Sequence, residues 1–131
     1  MTQVAAGILL RNGQVLLGLR APGGNCGGLW EFPGGKLEPG ETPEQCLVRE
    51  CIEEVGLLVE PVKLISRVVY PFPDQPIELF FYQVRAGEGE PSPLVHQKLC
   101  WAPVEELDRY AFSPANREAL ANIKRLHQNE L

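Results

Sequence analysis

The chain has 131 residues, of which 44% are hydrophobic and 22% are charged, and its formal net charge is −5. These values fit one globular domain, expected over residues 1–131, and the acidic balance argues against nonspecific binding to nucleic acid or to an anionic membrane. If the ligand is a polyanion, something other than bulk charge must hold it, and a divalent cation is the best candidate.

Two strands and a turn open the chain. The apolar runs "TQVAAGILL" and "QVLLGLR" predict strands, and Asn12-Gly13 between them is a strong hairpin signal. Residues 21–28 form a glycine-rich loop that lacks the spacing of a phosphate-binding P-loop. We therefore expect a β-hairpin followed by an irregular segment.

A helix is predicted over residues 42–55. Thr42 is a suitable N-cap, Pro43 suits the first helical position, Gln45 completes a capping box, and Gly56 suits the C-terminal stop. Cysteines within this helix lie among apolar neighbours, and none of the chain's four cysteines forms a C-x-x-C pair. Core packing is the expected role of Cys46 and Cys51, and a redox role is the minority alternative.

The second half of the chain alternates strands and loops before a last helix. "VKLISRVVY" and "IELFFYQV" predict strands, residues 85–94 a loop, and "KLCWAPVEEL" a short strand that turns at Pro103. Residues 113–128 predict one closing helix, with Leu120, Ile123 and His127 near one face. Strands with two helices around one core indicate an α/β (α+β) sandwich.

The predicted helix 42–55 carries three glutamates on one face, Glu50, Glu53 and Glu54. They could simply form a solvated acidic face, since repulsion costs only a few tenths of a kcal/mol per pair. Alternatively they could hold a hard divalent cation, because Mg²⁺ typically takes one or two carboxylates together with substrate phosphates.

The segment from Gly35 to Leu57 resembles the Nudix box, G-x5-E-x7-R-E-U-x-E-E-x-G-U, where U is a bulky apolar residue. Every fixed position is matched, and Cys51 at a U position is a soft departure. The resemblance covers most of the chain and is closest to the MutT-type subfamily, for which "WEFPGGK" and a late "PAN" are typical. It implies a Nudix-type α/β/α sandwich with a mixed β-sheet.

The resemblance also implies an activity. MutT-type members hydrolyse 8-oxo-dGTP to 8-oxo-dGMP and pyrophosphate, by attack of water at the β-phosphorus, which cleans the nucleotide pool for DNA replication and repair. The implied cofactor is Mg²⁺, with Mn²⁺ as the alternative. The partner is a small-molecule nucleoside triphosphate, and we expect a cytoplasmic monomer with no membrane partner and no stable nucleic-acid complex.

The resemblance further assigns roles to individual residues. Metal ligands would be the carbonyl of Gly34 and the carboxylates of Glu50, Glu53 and Glu54. Arg49 would orient the glutamates, and either Glu50 or Glu53 would be the general base. Gly35 and Glu41 would support these groups. The substrate-binding set comprises Arg20, Asn25, Glu31, Phe32, Pro33, Gly34, Phe72 and Asn116.

Asn116 is the residue expected to recognise the base. Pro114 marks Ser113 as the better helix cap, which leaves the Asn116 amide free to pair elsewhere. An amide offers a donor beside an acceptor. Guanine oxidised at carbon 8 carries a hydrogen on N7 next to O6 and matches both groups, whereas unoxidised guanine presents two acceptors.

One position departs from the subfamily pattern. MutT-like proteins often place a further metal-binding glutamate before the late tryptophan strand, where this chain has Val95 beside His96. Glu88 or Glu90 could substitute through a shifted loop, and His96 is expected to be a loop residue rather than a ligand, although it could hydrogen-bond phosphate. Two rival functions remain: a pyrimidine or general (deoxy)nucleoside triphosphate pyrophosphatase, and a non-catalytic nucleotide-sensing Nudix domain.

Overall fold

The computed structural model describes residues 1–23 and 27–130, so Asn25 lies outside the described residues. Within these limits the chain forms strands, one 3-10 helix at residues 104–109, and three α-helices. The strands are β1 (Thr2–Arg11), β2 (Gln14–Leu19), β3 (Trp30–Glu31), β4 (Gly34–Lys36), β5 (Val59–Pro71), β6 (Pro76–Ala86) and β7 (Lys98–Pro103). The helices are α1 (Pro43–Val55), α2 (Pro114–Arg117) and α3 (Leu120–Glu130).

The strands form a mixed sheet in the order β3-β2-β1-β6-β5, with β4 added to β1 and β7 added to β2. β1 runs parallel to β6, and its other pairings are antiparallel. The predicted hairpin is confirmed: Asn12 and Gly13 have φ values of 53° and 75°, as the tight turn between β1 and β2 requires. The mixed sheet expected from the resemblance is also confirmed.

Helices cover both faces of the sheet. Side chains alternate between the faces along β1, since Ala5 and Leu9 pack with α1 whereas Ala6 and Ile8 pack with the 3-10 helix and α3. The result is the predicted α/β/α sandwich. None of the helices in residues 1–23 and 27–130 has the length and apolar character needed to cross a membrane.

Local signals set the limits of α1. Thr42 accepts a hydrogen bond from the backbone of Gln45, the Gln45 side chain accepts one from the backbone of Thr42, and Gly56 ends the helix with a φ of 71°. The helix buries Cys46 and Cys51 against the sheet, and burial raises the pKa of these thiols to about 11 and about 12. Their predicted packing role is confirmed.

The closing helix differs from its prediction. Ser113 does cap it, but the helix is interrupted after Arg117, where the backbone N–H of Ala119 bonds the carbonyl of Asn116 in a tight turn. α3 then begins at Leu120. Its buried face is formed by Leu120, Ile123 and Leu126, whereas His127 is only half-buried.

β4 brings the predicted glycines to the middle of the sheet. Gly34 pairs with Ala6 and Gly35 pairs with Ala5 on β1. A Cβ atom on Gly34 would lie 2.0 Å from the carbonyl oxygen of Ala5, and the φ of Gly34 is 156°. Only glycine fits there. Pro33 is fully buried beneath this segment, and its carbonyl accepts a hydrogen bond from Gly7 at 2.7 Å.

Candidate active site

A cavity of about 380 Å³ opens where β1, β4, α1 and α2 meet. Most of the residues that the resemblance assigned to the site lie on its wall, although they come from distant parts of the chain. Those on the wall are Arg20, Glu31, Phe32, Gly34, Gly35, Glu50, Glu54, Phe72 and Asn116. Pro33, Glu41, Arg49 and Glu53 do not line it.

Arg49 organises the glutamates of α1 from behind the cavity. Its guanidinium donates to both oxygens of Glu41 at 2.8 and 2.9 Å, to Glu50, and to Glu53 at 3.4 Å. It also donates to the carbonyl of Lys36 on β4 at 3.2 Å. The hydrogen bond from Arg49 lowers the pKa of Glu41 to about 2. Glu41 therefore stays ionised and fixes Arg49, which in turn fixes Glu50 on the cavity wall and the more exposed Glu53.

Glu54 is the most enclosed carboxylate of the cluster. Its Oε1 accepts a hydrogen bond from the backbone N–H of Gly34 at 3.1 Å. Its pKa is raised to about 7, chiefly by burial and also by the neighbouring acids Glu31 and Glu50, whereas the hydrogen bond from Gly34 and the nearby His96 act in the opposite direction. An ionised Glu54 is thus short of positive charge, which a bound cation would supply.

Glu50 and Glu53 differ in position. The Glu50 side chain is 15% exposed, and a Cβ atom on Gly35 would lie 2.5 Å from its Oε2, so the missing side chain of Gly35 is what admits this carboxylate. Glu53 is 56% exposed and lies at the rim. The inner donors, Glu50 and Glu54 beside the backbone of β4, are all oxygens and fit a hard divalent cation such as Mg²⁺.

A second group of possible metal ligands includes His96, which the sequence predicted to lie in a loop. One potential ligand atom each from Glu31, Glu54 and His96 lies within 4.8 Å of the others. His96 lies in a loop, as expected, but its side chain is buried. Its neighbour Val95, which stands where relatives often have a glutamate, is exposed.

Glu90 does not replace the missing loop carboxylate. Its side chain forms an ion pair with Arg11 at 3.6 Å, at the far end of β1 from the glycines of β4. Neither Glu88 nor Glu90 is among the residues that line the cavity. The described part of the chain thus gives no support for a shifted loop.

The opposite end of the cavity is apolar. Phe32 stacks on Phe112 with ring centroids 5.4 Å apart, and Phe72 packs against Tyr70 at 4.8 Å. Phe32 is therefore both a core residue and part of the wall. Asn116 lies beside them, and its backbone N–H is capped by the hydroxyl of Ser113 at 3.4 Å. A flat ring with a polar edge could therefore pack against the aromatic side chains and form hydrogen bonds with the amide of Asn116.

Comparison with known proteins agrees with this geometry. The NUDIX domain model matches residues 1–123. The 8-oxo-dGTP diphosphatase of Escherichia coli (strain K12) is 41% identical over 125 residues, which are 95% of this chain and 97% of that protein. The CTP pyrophosphohydrolase of the same organism is 35% identical over 116 residues, or 88% of this chain and 86% of that protein.

A solved structure shows the same architecture. The crystal structure of a MutT NUDIX hydrolase from Burkholderia pseudomallei superposes with a TM-score of 0.83 at 27% identity, covering 93% of this chain and 97% of that one. The chain therefore belongs to the NUDIX family. Within that family its similarity is to the MutT-type enzymes, and it is a hydrolase of phosphoric anhydrides.

The raised pKa of Glu54 predicts how the stability of the metal-free protein depends on pH. The folded state binds the Glu54 proton more tightly than the unfolded state, whose pKa is the ordinary 4.5. The free energy of unfolding should therefore increase as the pH falls from about 7 towards about 5. Thermal melts in a chelator should show a higher Tm at the lower pH. In Glu54→Gln this dependence should be much weaker, and an identical slope in both proteins would contradict the assignment.

Proposed function

We propose that the chain is a Mg²⁺-dependent nucleoside triphosphate pyrophosphohydrolase that converts 8-oxo-dGTP to 8-oxo-dGMP and pyrophosphate. The observation that carries the proposal is that the carboxylates of Glu50 and Glu54 and the side chain of Asn116 line one and the same cavity. The 41% identity to an E. coli enzyme named 8-oxo-dGTP diphosphatase supports the same substrate.

Glu50 and Glu54, with Glu53 at the rim and the carbonyl of Gly34, would hold the metal. When bound, Mg²⁺ supplies positive charge to the triphosphate and a water of lowered pKa. Arg49 keeps the carboxylates in place through its bonds to Glu50 and Glu53.

A general base must take a proton from the attacking water, and the geometry favours Glu50. Its carboxylate lines the cavity and is held by Arg49, whereas Glu53 lies outside the wall and is largely exposed. The reaction then proceeds at the polar end of the cavity, where Glu54 and the backbone of Gly34 are already hydrogen-bonded to each other.

Recognition of the base would occur at the apolar end. Phe32, Phe72 and Leu79 provide apolar surface for the ring, and the amide of Asn116 provides a donor and an acceptor for its edge. Oxidised guanine satisfies both amide groups, through O6 and N7–H. Guanine itself would place its N7 lone pair against the amide oxygen, and this mismatch gives the site its selectivity.

A second candidate function is hydrolysis of a pyrimidine triphosphate. The 35% identity to a CTP pyrophosphohydrolase over 88% of this chain favours it. A non-catalytic sensor is disfavoured, since Glu50, Glu53 and Glu54 are all present with Arg49 bonded to two of them.

We also propose that the protein acts on free nucleotides as a cytoplasmic monomer that needs no stable nucleic-acid complex. A net charge of −5 supports the last point, because the phosphate backbone attracts basic surfaces.

A nucleotide panel tests the function directly. The protein is incubated with 8-oxo-dGTP, dGTP, dCTP, CTP and dTTP, each with Mg²⁺ or with Mn²⁺, and pyrophosphate release is followed. The proposal expects the highest kcat/KM for 8-oxo-dGTP with Mg²⁺. Faster turnover of a cytidine nucleotide would establish the pyrimidine alternative, and no metal-dependent turnover of any nucleotide would establish a sensor.

Gly35→Ala provides a sharp test of the carboxylate geometry. The new Cβ atom would lie 2.5 Å from Oε2 of Glu50, so the carboxylate must move away from its position. We expect kcat to fall by about tenfold or more, a loss of about 1.4 kcal/mol or more of transition-state stabilisation. Gly87→Ala is the matched control, because nothing lies within 4 Å of its added Cβ. Equal kcat in the two variants would show that the position of Glu50 is unimportant.

A further inference from the structure

His96 is a buried polar residue in an otherwise exposed loop. Its side chain is only 2% exposed, although the preceding residues Leu94 and Val95 are both exposed apolar side chains. Burying an imidazole removes its nitrogens from water, and this is unfavourable unless they gain partners. The placement of His96 therefore calls for a specific interaction.

β2 is shaped to receive the imidazole ring. A Cβ atom on Gly18 would lie 2.5 Å from Cδ2 of His96 and 2.6 Å from Cγ. The backbone N–H of Gln97 donates to the carbonyl of Leu19 at 2.8 Å, which fixes the loop to the same strand. Any side chain larger than hydrogen at position 18 would displace the ring, so the glycine and the histidine form a matched pair.

The ring makes one polar contact within the described residues, and that contact is with the cavity wall. Nε2 of His96 lies 2.8 Å from Oε2 of Glu31 and donates to this carboxylate. Nδ1 is buried and has no hydrogen-bond partner in the part of the chain that the structure describes. Among the described residues, the hydrogen-bond partner that offsets the burial of His96 is therefore Glu31.

Glu31 connects His96 to the mouth of the cavity. Its other oxygen, Oε1, accepts a hydrogen bond from Arg20 at 3.4 Å. Arg20 is about half exposed, so its guanidinium is accessible to an anionic ligand. The three side chains form a chain of hydrogen bonds from the buried His96 to the surface: His96 donates to Glu31, and Arg20 donates to the other oxygen of Glu31.

We propose that His96 is a positioning residue for nucleotide binding, which acts by fixing Glu31 and through it Arg20. This inference rests on the proposed function, since it assigns Arg20 and Glu31 to the nucleotide. An anionic substrate competes with Glu31 for Arg20. When Arg20 turns towards the substrate, Glu31 loses that partner while Glu54 remains nearby, and the bond from His96 keeps the carboxylate paired and in place.

The test compares two substitutions at position 96. His96→Leu fills the space without a donor, whereas His96→Gln can place an amide N–H near the position of Nε2. We expect His96→Leu to raise KM for 8-oxo-dGTP, and the Kd for 8-oxo-dGMP measured by calorimetry without metal, each by about tenfold. kcat should change by less than about threefold. His96→Gln should recover most of the binding.

His127→Leu is the matched control, because His127 is the chain's other histidine and lies on α3, outside the cavity wall. Coupling to Glu31 provides the second readout. If His96 acts through Glu31, His96→Leu should raise Kd far less in a Glu31→Gln background than in the wild type. Gly18→Ala, which displaces the ring, should reproduce the KM effect of His96→Leu.

Three results would overturn the inference: unchanged Kd and KM in His96→Leu, no recovery in His96→Gln, or full additivity with Glu31→Gln. A fall in Tm with unchanged nucleotide binding would reduce His96 to a packing residue. Failure of the proposed function looks different, because the wild type itself would then prefer another nucleotide. The same variants would in that case be compared with the monophosphate of the preferred nucleotide.

Discussion

Glu54→Gln is expected to lower kcat/KM at saturating Mg²⁺ by at least about a hundredfold while leaving the fold intact. Removal of a charged metal ligand should cost the transition state about 3 kcal/mol or more. Glu54 accepts the hydrogen bond from Gly34 and lies in the most enclosed part of the carboxylate cluster. A glutamine can still accept that bond but supplies no charge to the metal.

The measurement is steady-state kinetics over a range of Mg²⁺ concentrations, together with thermal melts in a chelator. The melts should show that metal-free Glu54→Gln is at least as stable as the wild type, because the substitution removes a charge from a repelling cluster. Glu90→Gln makes the same chemical change at a carboxylate that pairs with Arg11, and it should leave turnover nearly unchanged. Near-normal turnover in Glu54→Gln would remove the metal assignment.

The wild-type enzyme is expected to prefer 8-oxo-dGTP over dGTP by up to about 10⁴-fold in kcat/KM, mostly through a lower KM. Sites built to pair a polar edge can discriminate to this extent, because the wrong partner leaves buried groups unmatched. Asn116→Ala should erase much of the preference while Mg²⁺-dependent hydrolysis continues. Asn116 lines the cavity from α2, whereas the glutamates that would hold the metal belong to α1.

The decisive quantity is the ratio of kcat/KM for 8-oxo-dGTP to that for dGTP, in the wild type and in Asn116→Ala. Asn122→Ala is the matched control, since its amide bonds Ser66 on β5 and does not line the cavity. The control should keep the wild-type ratio. A wild-type ratio near one would remove the oxidised-purine assignment, and an unchanged ratio in Asn116→Ala would move base recognition to another residue.

The features that the sequence predicted best are those specified by neighbouring residues. α1 has its predicted limits because Thr42, Gln45 and Gly56 act within one turn of the helix ends. The hairpin at Asn12 is equally local. The Nudix motif adds the common face of Glu50, Glu53 and Glu54, which needs only the helical repeat.

Other features depend on contacts between distant residues, and the sequence could not supply them. The burial of His96 requires the space at Gly18, which lies on β2, far from the loop in the sequence. The interruption before α3 lies in a run that is helical by local preference. The interruption allows Leu120 and Ile123 to pack in the core. This packing depends on the assembled fold, which overrides the local preference for a continuous helix.

The two cysteines of α1 determine how the protein responds to oxidants. Oxidants that damage guanine also attack protein sulfur, and thiolates react far more readily than thiols. With pKa values of about 11 and about 12, Cys46 and Cys51 remain protonated at neutral pH, and both are buried on the face of α1 that packs against the sheet. Peroxide should therefore leave this helix chemically unchanged, so that hydrolysis continues during the oxidative stress that generates its proposed substrate.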